Sequence, residues 1–402
     1  MRRIDLTRAE LASSETARRI NRDILLEIIR ARQPISRADL ARVSGLQRST
    51  VSQIIEQLIE ELWIREGAVA RLPRGRRPTM LVLNEDVVVL TADLHPRKAA
   101  IAVIDLNGRV LSHAELSLSH DPAKVATAIL ECMRRLRQAH PEKSFRGVGV
   151  SLPGRVDSQT QRLIFAPNLH WPDFDLRQAL AKGLRMPVEM ENAANACLTS
   201  ELWFGRMQGV QNAVLITVSE GIGGGILANG QLVTGQNGMA GEFGHISLDP
   251  RGPRCGCGQR GCWETFASCK AALRHYQESS GASRRIAYQD LLALGAEKNP
   301  HAVGALTEQA RQIGRGLRLV IASLSPELVL IAGEVTSAWN LVAPALRKEM
   351  EAQWLGGTMP RIEPTFDSDA ARLRGAAAML LQRRASAIDR NGKVKTKPKP
   401  RT

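Results

Sequence analysis

Between Ala17 and Ala31, Ile20, Ile24, Ile28 and the neighbouring Leu25 recur at helical spacing, and Gln33-Pro34 stops the run. The spacing predicts a first core helix. Ser36-Arg37-Ala38-Asp39 has the form of a capping box with Asp39 in place of the usual Glu, and it opens a short second helix through Leu40, Ala41 and Val43 to the Ser44-Gly45 turn. Beyond the turn, Val51, Ile54, Ile55, Leu58 and Leu62 form one apolar stripe, with Ser49, Gln53 and Glu56 opposite it. A plain helical bundle shares this periodicity. The next segment favours a helix-turn-helix: Trp63–Glu66 and Met80–Leu83 read as short strands flanking the basic, turn-rich loop Arg71-Leu72-Pro73-Arg74-Gly75-Arg76-Arg77-Pro78. Residues 1–86 are therefore expected to form a winged helix-turn-helix that binds DNA. The candidate contacts are Arg37, Arg48, Ser49, Thr50, Ser52 and Gln53 from the helices. On the wing they are Arg74, Arg76 and Arg77, which suit phosphates or a narrow minor groove.

From Val87 the pattern changes to strands alternating with helices. Val87–Asp93 and Ala99–Asp105 read as a hairpin with Asn107-Gly108 at the next turn, Lys124–Ala139 as a helix and Gly147–Ser151 as a strand. Val214–Val218 leads into Ser219-Glu220-Gly221-Ile222-Gly223-Gly224-Gly225, and Leu328–Ile331 into Ala332-Gly333-Glu334. Both read as strand ends that turn through glycine near a ligand cleft. An α/β body is implied, although tight hairpins use glycine for reasons unrelated to ligands.

His245, Cys255, Cys257 and Cys262 follow H-x9-C-x-C-x4-C spacing, with Gly252, Pro253, Gly256, Gly258 and Gly261 around them. Four soft or borderline ligands in glycine-rich turns suit one tetrahedral structural zinc. Cys132, Cys197 and Cys269 are too few and too scattered for a disulfide framework and read as free thiols in a reducing compartment. No run of eighteen apolar residues occurs and Met1–Leu11 is too polar for a signal peptide, so a soluble, cytoplasmic protein is expected, with no membrane partner.

The net charge of +15 is unevenly placed. Residues 1–86 carry sixteen Arg against twelve acidic residues, and residues 390–402 carry six basic and no acidic residues. That leaves +5 on everything between. The balance suits a polyanionic partner engaged by the ends of the chain. Residues 389–402, with lysine alternating with proline, read as a basic, disordered tail with weak non-specific nucleic-acid affinity.

Several segments together resemble the ROK family of bacterial sugar-responsive repressors and sugar kinases. They are Gly241-Glu242-Phe243-Gly244-His245 with the cysteine cluster and Trp263-Glu264, Leu152-Pro153-Gly154 with Pro167-Asn168-Leu169, and Glu191-Asn192-Ala193-Ala194-Asn195-Ala196. The resemblance covers nearly all of residues 15–388 and implies a two-lobed, actin-like and hexokinase-like ATPase fold with sugar bound between the lobes. It places Gly154, Asn168, Asn192, Glu242, His245 and Glu264 around the sugar. Carboxylates and amides are directional partners for vicinal hydroxyls. Glu264 has a second reading as support for the zinc ligands, and His245 can present one ring nitrogen to zinc and the other to the sugar.

Two departures separate this chain from the kinases it resembles. Their first phosphate loop resembles Asp-x-Gly-Gly-Thr, whereas this chain has Asp93-Leu94-His95-Pro96-Arg97. Their catalytic aspartate falls at Ala193, which cannot accept a proton. The expected protein is thus no enzyme. It is a DNA-binding regulator, a repressor by resemblance, whose operator affinity is set by a sugar or sugar phosphate in the 87–388 body. Helix-turn-helix symmetry implies a homodimer or tetramer on a pseudo-palindromic operator. The rival readings are an active sugar kinase with an appended DNA-binding arm, and an effector-free assembly scaffold.

Overall fold

A computed structural model describes residues 14–69, 78–166, 169, 171, 174–205, 207, 209–281, 283, 285–352, 356–365 and 370–388. The wing arginines Arg74, Arg76 and Arg77, the expected ligand contact Asn168 and the basic tail lie outside them.

The chain begins with α1 (Ser14–Arg32), β1 (Ile35–Ser36), α2 (Arg37–Ser44), α3 (Arg48–Glu60), β2 (Ile64–Val69) and β3 (Thr79–Leu83). The strands form an antiparallel sheet in the order β1-β3-β2. Ser36 caps α2, its Oγ accepting from the Asp39 N–H at 3.1 Å. The reciprocal bond differs from a capping box, because Asp39 Oδ2 accepts from the Ser36 hydroxyl at 2.7 Å. Gly45, at φ +71°, ends α2 in the left-handed conformation that lets the chain turn into α3 within three residues.

The α3 stripe is buried at Val51, Ile54, Ile55 and Leu58 but excludes Leu62. That residue lies past the helix end at φ +65° and is 47% exposed, and Trp63, 3% exposed, takes the inward place. On α1 the inward face also differs from the expected one. Ile20 and Ile24 are exposed, whereas Arg22, Leu25 and Ile29 are buried. The face that meets the other helices lies about 100° round the axis from the isoleucine series. Arg22 tolerates that position because its Nη2 meets Glu61 Oε2 at 2.5 Å.

Only Asn84–Asp86 separate β3 from β4 (Val87–Leu94), the first strand of the body. The first lobe continues with β5 (Lys98–Asp105), β6 (Val110–Ser117), α4 (Pro122–Gln138), β7 (Ser144–Leu152), β8 (Arg155–Val156), β9 (Leu163–Phe165), α5 (Leu176–Leu184), β10 (Val188–Asn192) and α6 (Ala193–Phe204). The second lobe holds β11 (Ala213–Val218), β12 (Ile222–Ala228), β13 (Gln231–Leu232), α7 (Glu264–Ala267), α8 (Cys269–Ser280), α9 (Tyr288–Ala296), α10 (Pro300–Leu324), β14 (Leu328–Ala332), α11 (Trp339–Glu351) and β15 (Arg361–Pro364). The last helix, α12, spans Ala371–Ile388.

The two large sheets repeat one topology, β10-β7-β4-β5-β6 and β15-β14-β11-β12-β13. In each, an antiparallel meander is extended by two parallel strands on the far side of its first strand. The closing helices cross between lobes. Helix α6 packs on β11 and β12, whereas α12 returns to β4 and β7 and lies against α6. Gly375 permits that crossing, since a Cβ there would stand 1.7 Å from the Ala196 carbonyl oxygen.

Period-two alternation splits the first sheet between two cores. Val88, Leu90 and Ala92 pack with α4 and α5 residues. Val87, Val89, Ala102 and Ile104 share a cluster with Leu373, Ala377, Leu380 and Leu381 of α12 and with Leu25, Ile29, Val51 and Leu58. The N-terminal helices therefore share a continuous core with the first lobe.

Candidate ligand cleft and metal centre

A cleft of about 340 Å³ lies between the lobes. The turn after β7 contributes Gly154, the start of α6 contributes Asn192 and Ala193, the loop after β13 contributes Glu242 and His245, and α7 opens on Glu264. Every expected ligand residue among those described thus meets in one cavity. The glycine-rich segment takes part differently from the expected turn. Ser219–Gly221 makes the turn, while Gly223, Gly224 and Gly225 lie inside β12. A Cβ on Gly224 would stand 2.6 Å from the Gly241 carbonyl oxygen, so the missing side chains let the Glu242 loop pack on the strand.

That loop gathers the metal-type ligands. The Leu248 N–H donates to the Gly261 carbonyl at 2.8 Å, Cys255 N–H to Gln259 at 2.8 Å and Trp263 N–H to Ile246 at 2.8 Å, which folds the segment back on itself. Trp263, buried, anchors it by donating from its indole nitrogen to the Gln312 carbonyl of α10 at 2.8 Å. The ligand atoms of His245, Cys255, Cys257 and Cys262 lie within 4.8 Å of one another. Zinc–sulfur bonds of about 2.3 Å place tetrahedral sulfur neighbours roughly 3.8 Å apart. The Cys257 and Cys262 Sγ atoms are separated by 3.7 Å, and Cys255 Sγ stands 3.6 Å from His245 Nδ1. This donor set fits one tetrahedral zinc. Burial pushes the Cys255 and Cys262 thiols above their ordinary range, so the thiolates need a cation.

His245 faces two ways. Its Nδ1 is directed to Cys255, while Nε2 lies 3.7 Å from Glu242 Oε2. Burial raises the Glu242 carboxyl above the usual carboxylate range, opposed by His245 and Arg155. Glu264 Oε1 accepts from the Cys255 thiol at 2.8 Å, so Glu264 belongs to the ligand cluster as well as to the cleft. Asn192 is already engaged: its Oδ1 accepts from Ala194 N–H and its Nδ2 donates to the Gly154 carbonyl, both at 2.8 Å. One amide hydrogen and one lone pair remain for a ligand.

Behind the cleft residue His95, Asp93 is 5% exposed. Its Oδ1 accepts from Ser151 Oγ at 2.9 Å, and its Oδ2 lies 2.9 Å from His95 Nε2 and 3.9 Å from Arg372 Nη1. Burial opposes the Arg372 charge, but Asp93 and its neighbours outweigh that and raise its pKa. His95, Pro96 and Arg372 line the cavity. Ala193 offers no acceptor, and Glu191 does not stand in. Its Oε1 accepts from Asn192 N–H and Asn195 Nδ2, both at 3.0 Å, and it lies outside the cleft lining. Sequence reasoning missed Arg372, 279 positions from Asp93 and carried by α12, because no local signal joins them. Arg155, beside Gly154 in sequence, was within reach as a cleft residue.

In the N-terminal unit, Arg48, Ser49 and Gln53 are exposed on α3, and Thr50 and Ser52 are half-buried. Arg37 is less available than its sequence context suggests, since its Nη1 meets Glu66 Oε1 at 2.7 Å.

These features define a two-lobed α/β body with a cleft between its lobes and a His-Cys₃ loop. Residues 90–383 match the ROK family, and the chain belongs to it. The xylose repressor of Bacillus subtilis (strain 168) is 30% identical over 348 residues, covering 86% of this chain and 90% of the repressor. The glucokinase of Streptomyces coelicolor is 31% identical over 309 residues, covering 73% of this chain and 95% of the glucokinase. Among solved structures, a ROK family transcriptional regulator described as a homologue of the Escherichia coli MLC protein superposes with TM-score 0.78 at 27% identity. That superposition covers 92% of this chain and 99% of the regulator. Among the described residues, no helix is long and apolar enough to cross a membrane.

Proposed function

We propose that this chain is a transcriptional repressor whose operator affinity is set by a sugar or sugar phosphate bound in a catalytically inactive kinase-like cleft. The observation that carries the reading is the contrast inside that cleft. Glu242, His245, Glu264 and Asn192 line one cavity, while Ala193 on its wall supplies no base and Asp93 is engaged by His95 and Arg372. Residues 1–86 act as a winged helix-turn-helix, supported by the exposed polar side chains of Arg48, Ser49 and Gln53 opposite a buried stripe. Arg37, Thr50, Ser52, Arg74, Arg76 and Arg77 complete the DNA contacts. Residues 87–388 bind the effector, with Gly154 and Asn168 completing the site, and carry the contacts of a homodimer or tetramer on a pseudo-palindromic operator.

His245, Cys255, Cys257 and Cys262 hold a structural zinc, which fixes the loop bearing Glu242 and Glu264. A Cys255 thiolate has no proton for Glu264, so metal loading leaves that carboxylate available to ligand hydroxyls. His245 then presents its Nε2–H to the cleft as a donor.

The test is an operator titration on the full chain with pentoses, hexoses, N-acetylated hexoses and their phosphates. An effector is expected to shift operator affinity about 5- to 150-fold. The likeness to a glucokinase keeps one rival alive, a kinase with a DNA-binding arm. A coupled assay showing ATP turnover driven by any of these sugars would replace the repressor reading with that one.

A further inference from the structure

Strand β7 runs from the N-terminal helices to the cleft. It is a central strand, paired with β4 on one side and β10 on the other. At its cleft end Ser151 Oγ donates to Asp93 Oδ1 at 2.9 Å. Pro153 and Gly154, just past Leu152, line the cavity, and the Gly154 carbonyl accepts from Asn192 Nδ2 at 2.8 Å.

The opposite end of the strand carries a bulge. Val88 pairs with Phe145 and Leu90 with Val148, so Arg146 and Gly147 together face Val89. One extra residue reverses the alternation of a strand. Phe145 and Val148 therefore both pack with the α4 and α5 residues, whereas Arg146 emerges on the other face, where Val89 shares a cluster with Trp63 and the N-terminal helices. There Arg146 meets the end of α3. Its Nη2 donates to the carbonyl of Glu61, the C-cap of that helix, and its guanidinium lies 5.9 Å from the Trp63 ring centre. A cation at this place satisfies a terminal carbonyl and meets the negative end of the helix dipole. Glu61 joins three elements, since its carboxylate also accepts from Arg22 of α1 at 2.5 Å and from Gln57 of α3 at 2.8 Å. The Arg146 Nε is buried and finds no acceptor among the described residues, so the Glu61 bond and the indole are the main holds on the guanidinium.

We infer that Arg146 is the positioning residue through which occupancy of the cleft reaches the operator, because β7 ties the cleft wall at Ser151 and Gly154 to the C-terminal end of the helix that reads DNA. The inference rests on the repressor reading above and adds the link between its two sites. A ligand that displaces the Gly154 end of β7 changes the geometry of the Arg146–Glu61 bond, and hydrogen bonds weaken steeply with length and angle. Helix α3 then loses a contact that fixes its angle to the body, and operator affinity falls.

Operator titrations on the full chain with xylose, glucose, N-acetylglucosamine and glucose 6-phosphate read the link as the ratio of affinities without and with sugar. Wild type should respond about 5- to 150-fold to one of them. Arg146→Met keeps the apolar stem and removes the donor; its response should fall below about twofold, while calorimetry on the DNA-free protein shows sugar affinity unchanged. Arg146→Lys, which keeps a charged donor, should recover part of the response. Arg146→Gln replaces Arg146→Met if circular dichroism shows the latter unfolded. A wild-type response in the folded Met or Gln variant would overturn the inference and leave the repressor reading standing.

A second measurement needs no sugar. Ser151 lies roughly 15 Å from Arg146 along β7, a separation at which unrelated substitutions add. Ser151→Ala should change operator affinity at least about twofold with Arg146 in place and leave it unchanged in the Arg146→Met background. Equal effects in the two backgrounds would overturn the link. If none of the four sugars acts on wild type, the repressor reading falls and this comparison alone decides the link.

Discussion

Two groups of side chains at the interlobe cleft have opposite characters. Glu242, His245 and Glu264 line the cavity with polar groups, beside the cluster of His245, Cys255, Cys257 and Cys262. Asp93, by contrast, is engaged by Ser151, His95 and Arg372, and Ala193, on the same cavity wall, carries no acceptor side chain. Recognition and catalysis are thus separable on this scaffold. A ligand needs convergent donors and acceptors, whereas phosphoryl transfer also needs a base and backbone open to phosphate. A cleft needs only the first set to act as a sensor.

Removing the metal ligand cluster should erase the contrast between the two groups most completely. Cys257→Ser should reduce zinc by mass spectrometry to none per chain and abolish the effector response, a coupling of about 1–3 kcal/mol. Operator affinity without effector should survive in part, and a zinc-free protein with a normal response would separate the loop from signalling. Next in size is Glu242→Ala, which removes a charged partner for ligand hydroxyls. Calorimetry should show effector binding weakened by about 1.5–3 kcal/mol, with apo operator affinity unchanged.

On the DNA side, Gln53→Ala should relax sequence preference at one operator position by about 1–3 kcal/mol in a binding-site selection. An unchanged preference would place the reading face of α3 elsewhere. The smallest expected effect bears most directly on Ala193 and the Asp93 cluster. Ala193→Asp restores a carboxylate but leaves His95, Pro96 and Arg372 in place, so a coupled assay should still detect no sugar phosphorylation. Turnover in that variant would show that the cleft remains open to nucleotide.

Much of this was legible in the residues themselves. The cysteine spacing marked the metal-type loop because close neighbours in sequence gather into one cluster by local turns alone. The α3 stripe and the β4–β5 hairpin followed from periodicity, which reports the buried face of an element that packs in a regular way. The α1 face did not follow. Ile20, Ile24 and Ile28 make as good a stripe as Arg22, Leu25 and Ile29, and only the neighbours, Glu61 among them, decide which turns inward.

The information carried along the chain is local: where helices start, which positions alternate, which donors sit within reach of one another, and that Ala193 carries no base. The long-range arrangement came from packing in three dimensions. The two sheets share one topology with no visible repeat in their residues, since backbone pairing constrains pattern and not identity. Helix α12 returns from the end of the chain, placing Arg372 in the cleft and Leu380 and Leu381 against the N-terminal helices, so that cleft and N-terminal unit meet on one element. Burial and pairing of that kind depend on which surfaces meet in space, and residues hundreds of positions apart carry no record of it in their spacing.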